Sequence, residues 1–218
     1  MRGNVSTEPD CGTPRDLPPR YRLVIFDMDG TLTEERLDFP AIRKAIGAPP
    51  NGGLLEHIAR LPADEQGRAL DTLHAHELAA AEICGVHEGA AEMLGTLKTQ
   101  GIATALLTRN SAPCARTILS RHSLALDYIA TREHVPHKPH PDSILRITRH
   151  FAISPQQTLM VGDYLYDLQA AQAAGTHSAL YWAKRGQSEL PAFANLATYI
   201  IETLREVPTL CLPGGPLT

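Results

Sequence analysis

Short apolar runs alternate with helical patterns along most of this chain. The first run, Arg22-Leu-Val-Ile-Phe, is β-branched and has the length of a buried parallel strand rather than a helix. Further runs of this kind lie at Ile102 to Thr108, Tyr128 to Thr131, Thr158 to Gly162 and His177 to Trp182. Helical patterns cover residues 88–99, 113–122, 142–151 and 165–174 between them. The alternation predicts an α/β fold with a Rossmann-like parallel sheet that is covered by helices on both faces.

Residues 34–86 interrupt this alternation. The stretch has no strand pattern and is much longer than an ordinary loop between a strand and a helix. Asn51-Gly-Gly predicts a turn between short helices, and a longer helix is expected to begin near Pro62. The apolar stripe of that helix is predicted to contain Ala69, Leu73, His76, Ala80 and Ile83. We therefore expect a small α-helical cap inserted after the first strand.

The two ends of the chain differ from the centre in composition. The first twenty residues hold four prolines and almost no large apolar side chains, which predicts a flexible tail over residues 1–20. Residues 190–205 are predicted to form a closing helix, and residues 207–218 a loose C-terminal tail. The expected division is thus a core of residues 21–33 and 87–206, a cap of residues 34–86 and two tails.

Charge and composition narrow the possible partners. The chain has 218 residues, with 20 basic and 24 acidic side chains and a net charge of -4, which is too weak to favour docking on nucleic acid or an anionic membrane. No apolar stretch has the length of a membrane span, and four scattered cysteines do not suggest a disulfide framework. We expect a cytoplasmic protein that acts on a small molecule. Its oligomeric state is not indicated by the sequence.

Polar residues of catalytic type follow four of the predicted strands. Asp27 and Asp29 end the first strand, Thr108 ends the second, and Lys138 follows the third after a short loop. Asp163 ends the fourth strand. Because ligands of open parallel sheets bind beyond the carboxyl ends of the strands, these residues are expected to meet in one site.

The residue types suggest phosphoryl chemistry. Asp27 and Asp29 are two residues apart, so that their side chains project to the same side of an extended chain, and Gly30 permits a sharp turn. A carboxylate can attack phosphorus if a cation relieves the repulsion between anions, and Mg²⁺ would find oxygen ligands in Asp27 and Asp163. Thr108 can donate a hydrogen bond and Lys138 can supply positive charge to the phosphoryl oxygens.

The same residues carry a resemblance to a known family. Asp27-Met-Asp-Gly-Thr-Leu-Thr, Thr108-Arg-Asn, Lys138-Pro and Gly162-Asp-Tyr-Leu-Tyr-Asp resemble, in order, the four motifs of haloacid dehalogenase (HAD) superfamily phosphatases. The resemblance covers roughly residues 21–183. The insertion is similar to the helical cap of the phosphoglycolate phosphatase and β-phosphoglucomutase branch.

The resemblance implies a role for each matching residue. Asp27 would be the nucleophile, and Asp29 would protonate the leaving oxygen and then activate water. The magnesium ligands would be the Asp27 and Asp163 carboxylates and the Asp29 main-chain carbonyl, with Asp167 in support. An acid at the position of Asp29 also disfavours dehalogenation, because dehalogenases of the superfamily lack it. The implied enzyme is a magnesium-dependent phosphatase that hydrolyses a small phosphomonoester through an aspartyl phosphate.

Several alternatives remain open at this level. A β-phosphoglucomutase-like enzyme would share these motifs and transfer the phosphoryl group to a sugar hydroxyl, and a non-catalytic phosphate-binding module would keep the fold. Asp167 could equally form a structural salt bridge. Arg36 and Arg43 are candidate cap contacts to an anionic substrate, and Arg109 and Asn110 are expected to face the pocket without an assignable role. The substrate itself is not indicated.

Overall fold

A six-stranded parallel sheet forms the centre of the computed structural model, which describes residues 18–134, 136–183 and 189–214. The strands are β1 (Leu23–Phe26), β2 (Ala103–Leu107), β3 (Tyr128–Ala130), β4 (Thr158–Gly162), β5 (His177–Tyr181) and β6 (Tyr199–Ile201). Their order across the sheet is β3-β2-β1-β4-β5-β6. All pairs are parallel, which confirms the predicted class of fold.

The central strand β1 is buried on both faces. Val24 and Phe26 pack into one apolar cluster, whereas Leu23 and Ile25 pack into another on the opposite face. This alternation follows from the period of two in a strand. It explains why the strand reads as a continuous apolar run.

Helices cover both faces of the sheet. They are α4 (Ala90–Thr99), α5 (Ala112–Arg121), α6 (Asp142–Phe151) and α7 (Leu165–Ala174). Each begins and ends within two residues of its predicted bounds. Gly175 ends α7 in the left-handed conformation, with a φ of 71°, where a side chain would be strained.

The stretch between β1 and α4 contains three helices, α1 (Phe39–Ala45), α2 (Leu54–Ile58) and α3 (Ala63–Ile83). They share a small apolar cluster built around Ile42, Ile58 and Leu73. The predicted stripe of α3 is wrong after Leu73, because the buried positions are Ala69, Leu73, Glu77 and Ala81, whereas Ile83 is 69% exposed. These four positions are spaced by four residues and therefore lie along one side of α3. One of them is the carboxylate Glu77.

The predicted closing helix at 190–205 is also wrong. This segment forms 3₁₀ turns at Ala192–Leu196 and Leu204–Glu206 on either side of β6. Tyr199 and Ile201 point into the core while Ile200 is exposed, so the run has the period of a strand and pairs with β5. The predicted start of the C-terminal tail at residue 207 is also too early. Residues of α8 (Val207–Leu210) and Cys211 pack into the main apolar cluster.

Residues 1–17 and 215–218, which hold most of the predicted tails, lie outside the described residues. Within the described ranges, none of the helices has the length and apolarity that crossing a membrane requires.

Candidate active site

The candidate site lies at the carboxyl end of β1. Strand order reverses at this point, because β2 and β4 flank β1 on opposite sides, and such a switch point leaves a crevice above the sheet. The predicted site residues meet here around a cavity of about 1060 Å³. Its lining includes Asp27, Asp29, Thr108, Lys138, Asp163 and Asp167.

Lys138 joins two of the carboxylates. Its Nζ lies 2.5 Å from Asp27 Oδ1 and 2.6 Å from Asp167 Oδ1, and the side chain is 2% exposed. Burial alone lowers the pKa of this ammonium group, but the charges of Asp167 and Asp27 outweigh burial and raise the pKa above its ordinary value. Lys138 is therefore a fixed cation beside Asp27.

Asp29 occupies a different environment from Asp27. Asn110 Nδ2 donates a hydrogen bond of 2.8 Å to Asp29 Oδ2. Burial, followed by the negative charge of Asp27, raises the pKa of Asp29 to about 7. A carboxyl group with this pKa can both donate and accept a proton near neutral pH.

Asp163 sits against the turn that follows β1. Thr31 Oγ1 donates to Asp163 Oδ1 over 3.2 Å. Gly30 has a φ of 80°, and a Cβ placed there would lie 2.1 Å from Asp163 Oδ2. The turn thus requires glycine both for its backbone conformation and for the space that the carboxylate occupies.

Asp167 holds neighbouring groups in place. Besides its bond to Lys138, its second oxygen accepts a hydrogen bond of 3.1 Å from the main-chain nitrogen of Tyr164. Thr108, which follows β2, is buried, and its hydroxyl oxygen accepts a hydrogen bond from the main-chain nitrogen of Asn110 at 3.1 Å. The hydroxyl hydrogen of Thr108 can be donated elsewhere.

The donor set fits a hard divalent cation. Asp27, Asp163 and Asp167 each offer a carboxylate oxygen, and these oxygens lie within 4.8 Å of one another. Burial, together with the charges of Asp27 and Asp167, raises the pKa of Asp163 to about 8, which shows that negative charge is crowded at this point. Mg²⁺ prefers oxygen ligands, and its charge would relieve this crowding.

Two ion pairs connect the cap helices with the core. Arg109, next to Thr108, donates to Glu56 of α2 at 2.7 Å and to the main-chain carbonyl of Lys138 at 2.7 Å. Arg132, which follows β3, pairs with Glu77 of α3, whose side chain is 2% exposed. The cap is therefore docked on the core over the site.

Sequence reasoning did not identify all of these residues. Arg109 and Asn110 face the cavity as predicted, and the structure adds their contacts. Thr31 and Glu77 were missed. Thr31 could have been identified because it lies four residues after Asp27 in the sequence. The burial of Glu77 depends on Arg132, which is distant in sequence, so that no local pattern indicates it.

Comparisons with known proteins agree with the resemblance of the motifs. A family model described as haloacid dehalogenase-like hydrolase matches residues 21–175. A haloacid dehalogenase-like hydrolase domain-containing protein of Arabidopsis thaliana is 32% identical over 173 residues, which cover 74% of this chain and 71% of the relative. The phosphoglycolate phosphatase of Escherichia coli O157:H7 is 33% identical over 156 residues, covering 69% of this chain and 60% of the phosphatase.

Solved structures give the same result. A HAD-superfamily hydrolase of subfamily IA from Geobacter sulfurreducens superposes with a TM-score of 0.60 at 25% identity, and the match covers 88% of this chain and 97% of that one. The family model spans well over half of the chain and includes all four motifs in the order found at the site. The chain belongs to the haloacid dehalogenase-like hydrolases.

Proposed function

We propose that this hydrolase is a magnesium-dependent phosphatase that cleaves a small phosphomonoester through a phosphorylated Asp27. The observation that carries the proposal is the convergence of four carboxylates and one buried lysine at the carboxyl end of β1. Its relatives include phosphoglycolate phosphatases, which act on such an ester.

The first step assigned to Asp27 is nucleophilic attack. One carboxylate oxygen of Asp27 would form a bond with phosphorus while the bond between phosphorus and the ester oxygen breaks. Asp29 would give its proton to the departing alcohol. Lys138 and the Thr108 hydroxyl would stabilise the charge that develops on the phosphoryl oxygens.

The second step returns the enzyme to its starting state. Asp29, now ionised, would take a proton from water, and the water oxygen would attack the phosphorus of the aspartyl phosphate. Inorganic phosphate leaves and the Asp27 carboxylate is restored. The Asp27 and Asp163 carboxylates and, by resemblance, the Asp29 carbonyl would hold Mg²⁺, with Asp167 in support. The bound cation supplies charge that offsets repulsion between Asp27 and the substrate.

The test is phosphate release from a panel of small phosphomonoesters, with Mg²⁺ and with a chelator. Asp27→Asn should reduce release by at least about a thousandfold, because the amide cannot act as the nucleophile, yet it should leave the unfolding temperature nearly unchanged. Lys98→Gln, on the exposed side of α4, is a control that should keep full activity. Activity retained by Asp27→Asn would contradict the mechanism.

A further inference from the structure

The cavity is large even though the cap is docked on the core. Its volume is about 1060 Å³ with both ion pairs between cap and core in place, so the space does not result from an open cap. Pockets for drug-sized ligands measure roughly 300–1,000 Å³. A two-carbon ester such as phosphoglycolate would leave most of this space filled with water.

Much of the cavity lining is apolar. Phe39 is 37% exposed and Tyr164 is 53% exposed, which is high for aromatic side chains in a folded core. The apolar and aromatic lining residues include Leu37, Phe39, Leu55, Leu73, Tyr164 and Tyr166. Burial of an apolar group of the substrate against these side chains is favourable. Burial of a carboxylate there costs desolvation free energy that no hydrogen bond from the apolar side chains offsets.

Apart from Lys138, the cations that line the cavity among the described residues already have partners. Arg109 pairs with Glu56 and lies over the ring of Tyr166, with 4.8 Å between the guanidinium carbon and the ring centroid. Arg43 donates through both terminal nitrogens to the main-chain carbonyls of Pro49 and Gly52, at 2.9 and 2.6 Å. Both guanidinium groups therefore hold protein structure together.

The described residues that line the whole cavity include six carboxylates and three cations. Glu35 and Glu77 are the carboxylates of this lining other than the four aspartates, and Glu77 is paired with Arg132. A second anionic group on the substrate would add to this excess of carboxylates and would have to displace a partner of Arg43 or Arg109. This arrangement selects against a second anion.

We propose that the organic part of the substrate is an uncharged, largely apolar group, such as an aromatic ring, and that it carries no second anion. The inference rests on the proposed phosphatase function and specifies its substrate class. The phosphoryl group would lie among the aspartates, and the organic group would lie against Phe39 of the cap and Tyr164 of the core.

The experiment compares esters of primary alcohols that differ in the organic group. These are ethyl phosphate, phosphoglycolate, phenethyl phosphate and the para-carboxyl derivative of phenethyl phosphate, each assayed for phosphate release with Mg²⁺. We expect kcat/KM for phenethyl phosphate to exceed that for ethyl phosphate by at least about tenfold, and the para-carboxyl group to remove that gain. Phosphoglycolate should be no better than ethyl phosphate.

Two variants locate the effect. Phe39→Ala should lower the ratio of kcat/KM for phenethyl phosphate to that for ethyl phosphate by about tenfold, because it removes part of the apolar wall. Leu70→Ala, a half-exposed position on α3 outside the cavity lining, is the matched control and should preserve the ratio. A preference for phosphoglycolate that is lost in Arg43→Gln would overturn the inference, because Arg43 would then bind an anion.

The outcomes separate the inference from the function on which it rests. Magnesium-dependent and Asp27-dependent release with phosphoglycolate or the para-carboxyl ester preferred would overturn the substrate class and leave the phosphatase function intact. Absence of release from all four esters would contradict both.

Discussion

At the scale of single residues, Gly30 is the position where the site tolerates least change. It combines a positive φ with a carboxylate 2.1 Å from the place of a Cβ. Gly30→Ala should destabilise the protein by about 2 kcal/mol, since left-handed backbone is strained for alanine and Asp163 must move. Displacement of Asp163, which we propose as a metal ligand, should also lower kcat/KM by about a hundredfold. Urea unfolding and phosphate release measure the two effects.

Gly67 offers a control for the same substitution. It lies on the exposed side of α3, and a Cβ there would have nothing within 4 Å. Gly67→Ala should stabilise the protein by about 0.5–1 kcal/mol, because alanine favours a helix, and it should leave activity unchanged. Equal effects of the two substitutions would show that the turn at Gly30 does not constrain Asp163.

The residue scale also shows what a single sequence can predict about a site. Asp27, Asp29, Thr108 and Asp163 stand directly at strand ends, so their convergence follows from the fold class. Lys138 follows its strand after a short loop and was also expected at this edge of the sheet, but its contacts with Asp27 and Asp167 do not follow from residue spacing. The contacts that distinguish Asp29 from Asp27 come from Asn110 and from burial, and neither can be read from residue spacing.

At the scale of elements, the buried ion pair between Glu77 and Arg132 is the contact that we expect to fix α3 on the core. Arg132→Met would leave the Glu77 carboxylate buried without its cation, which should cost about 3–5 kcal/mol in urea unfolding. Adding Glu77→Met should recover most of that loss, because both charges are then absent. Arg205→Met, which breaks exposed pairs with Glu88 and Glu92, should change stability little.

The loss in Arg132→Met should depend on pH. Burial raises the pKa of Glu77 above its ordinary value of 4.5 even with Arg132 present, and removal of the cation raises it further. A group whose pKa is higher in the folded state lowers stability as the pH rises through that pKa. The deficit of the variant relative to wild type should therefore shrink towards pH 4.5. A deficit that does not vary with pH would mean that the carboxylate is not desolvated.

Prediction of the elements succeeded where a run was long or ended at a clear signal. Residues 158–162 and 165–174 were predicted with the observed bounds, because glycine and aspartate mark their limits. The three-residue strand β6 was mistaken for part of a helix, since Tyr-Ile-Ile is too short to show a period by itself. It becomes a strand through pairing with β5, which is a contact distant in sequence.

At the scale of the whole molecule, the crowded carboxyl groups of the site lower the stability that the packed sheet provides. The core packs apolar side chains on both faces of β1, whereas four aspartates line one cavity at the carboxyl end of that strand. Such crowding is a cost of function that the rest of the fold must offset. A ligand that binds only the folded protein and neutralises the site should therefore stabilise the entire chain.

Magnesium should raise the unfolding temperature of the wild-type protein for this reason. At about a hundred times its dissociation constant, the gain of about 2.7 kcal/mol corresponds to a rise of roughly 5–10 °C for a chain of this size. Differential scanning calorimetry with Mg²⁺, and with chelator plus potassium chloride of equal ionic strength, measures the effect. Asp163→Asn should abolish most of the rise because it removes a charged ligand.

The same variant should behave in the opposite way without metal. The pKa of Asp163 is raised from 3.8 to about 8 in the folded protein, so the folded state holds a proton that the unfolded chain releases, and stability falls as the pH rises between these values. In the presence of chelator, Asp163→Asn should therefore become increasingly more stable relative to wild type from pH 4 to pH 8, because Asp163 of the wild-type protein ionises over this range in the unfolded chain but keeps its proton in the folded protein. A constant difference across that range would indicate that the carboxylate is solvated rather than crowded, and the stabilisation by Mg²⁺ would then require another cause.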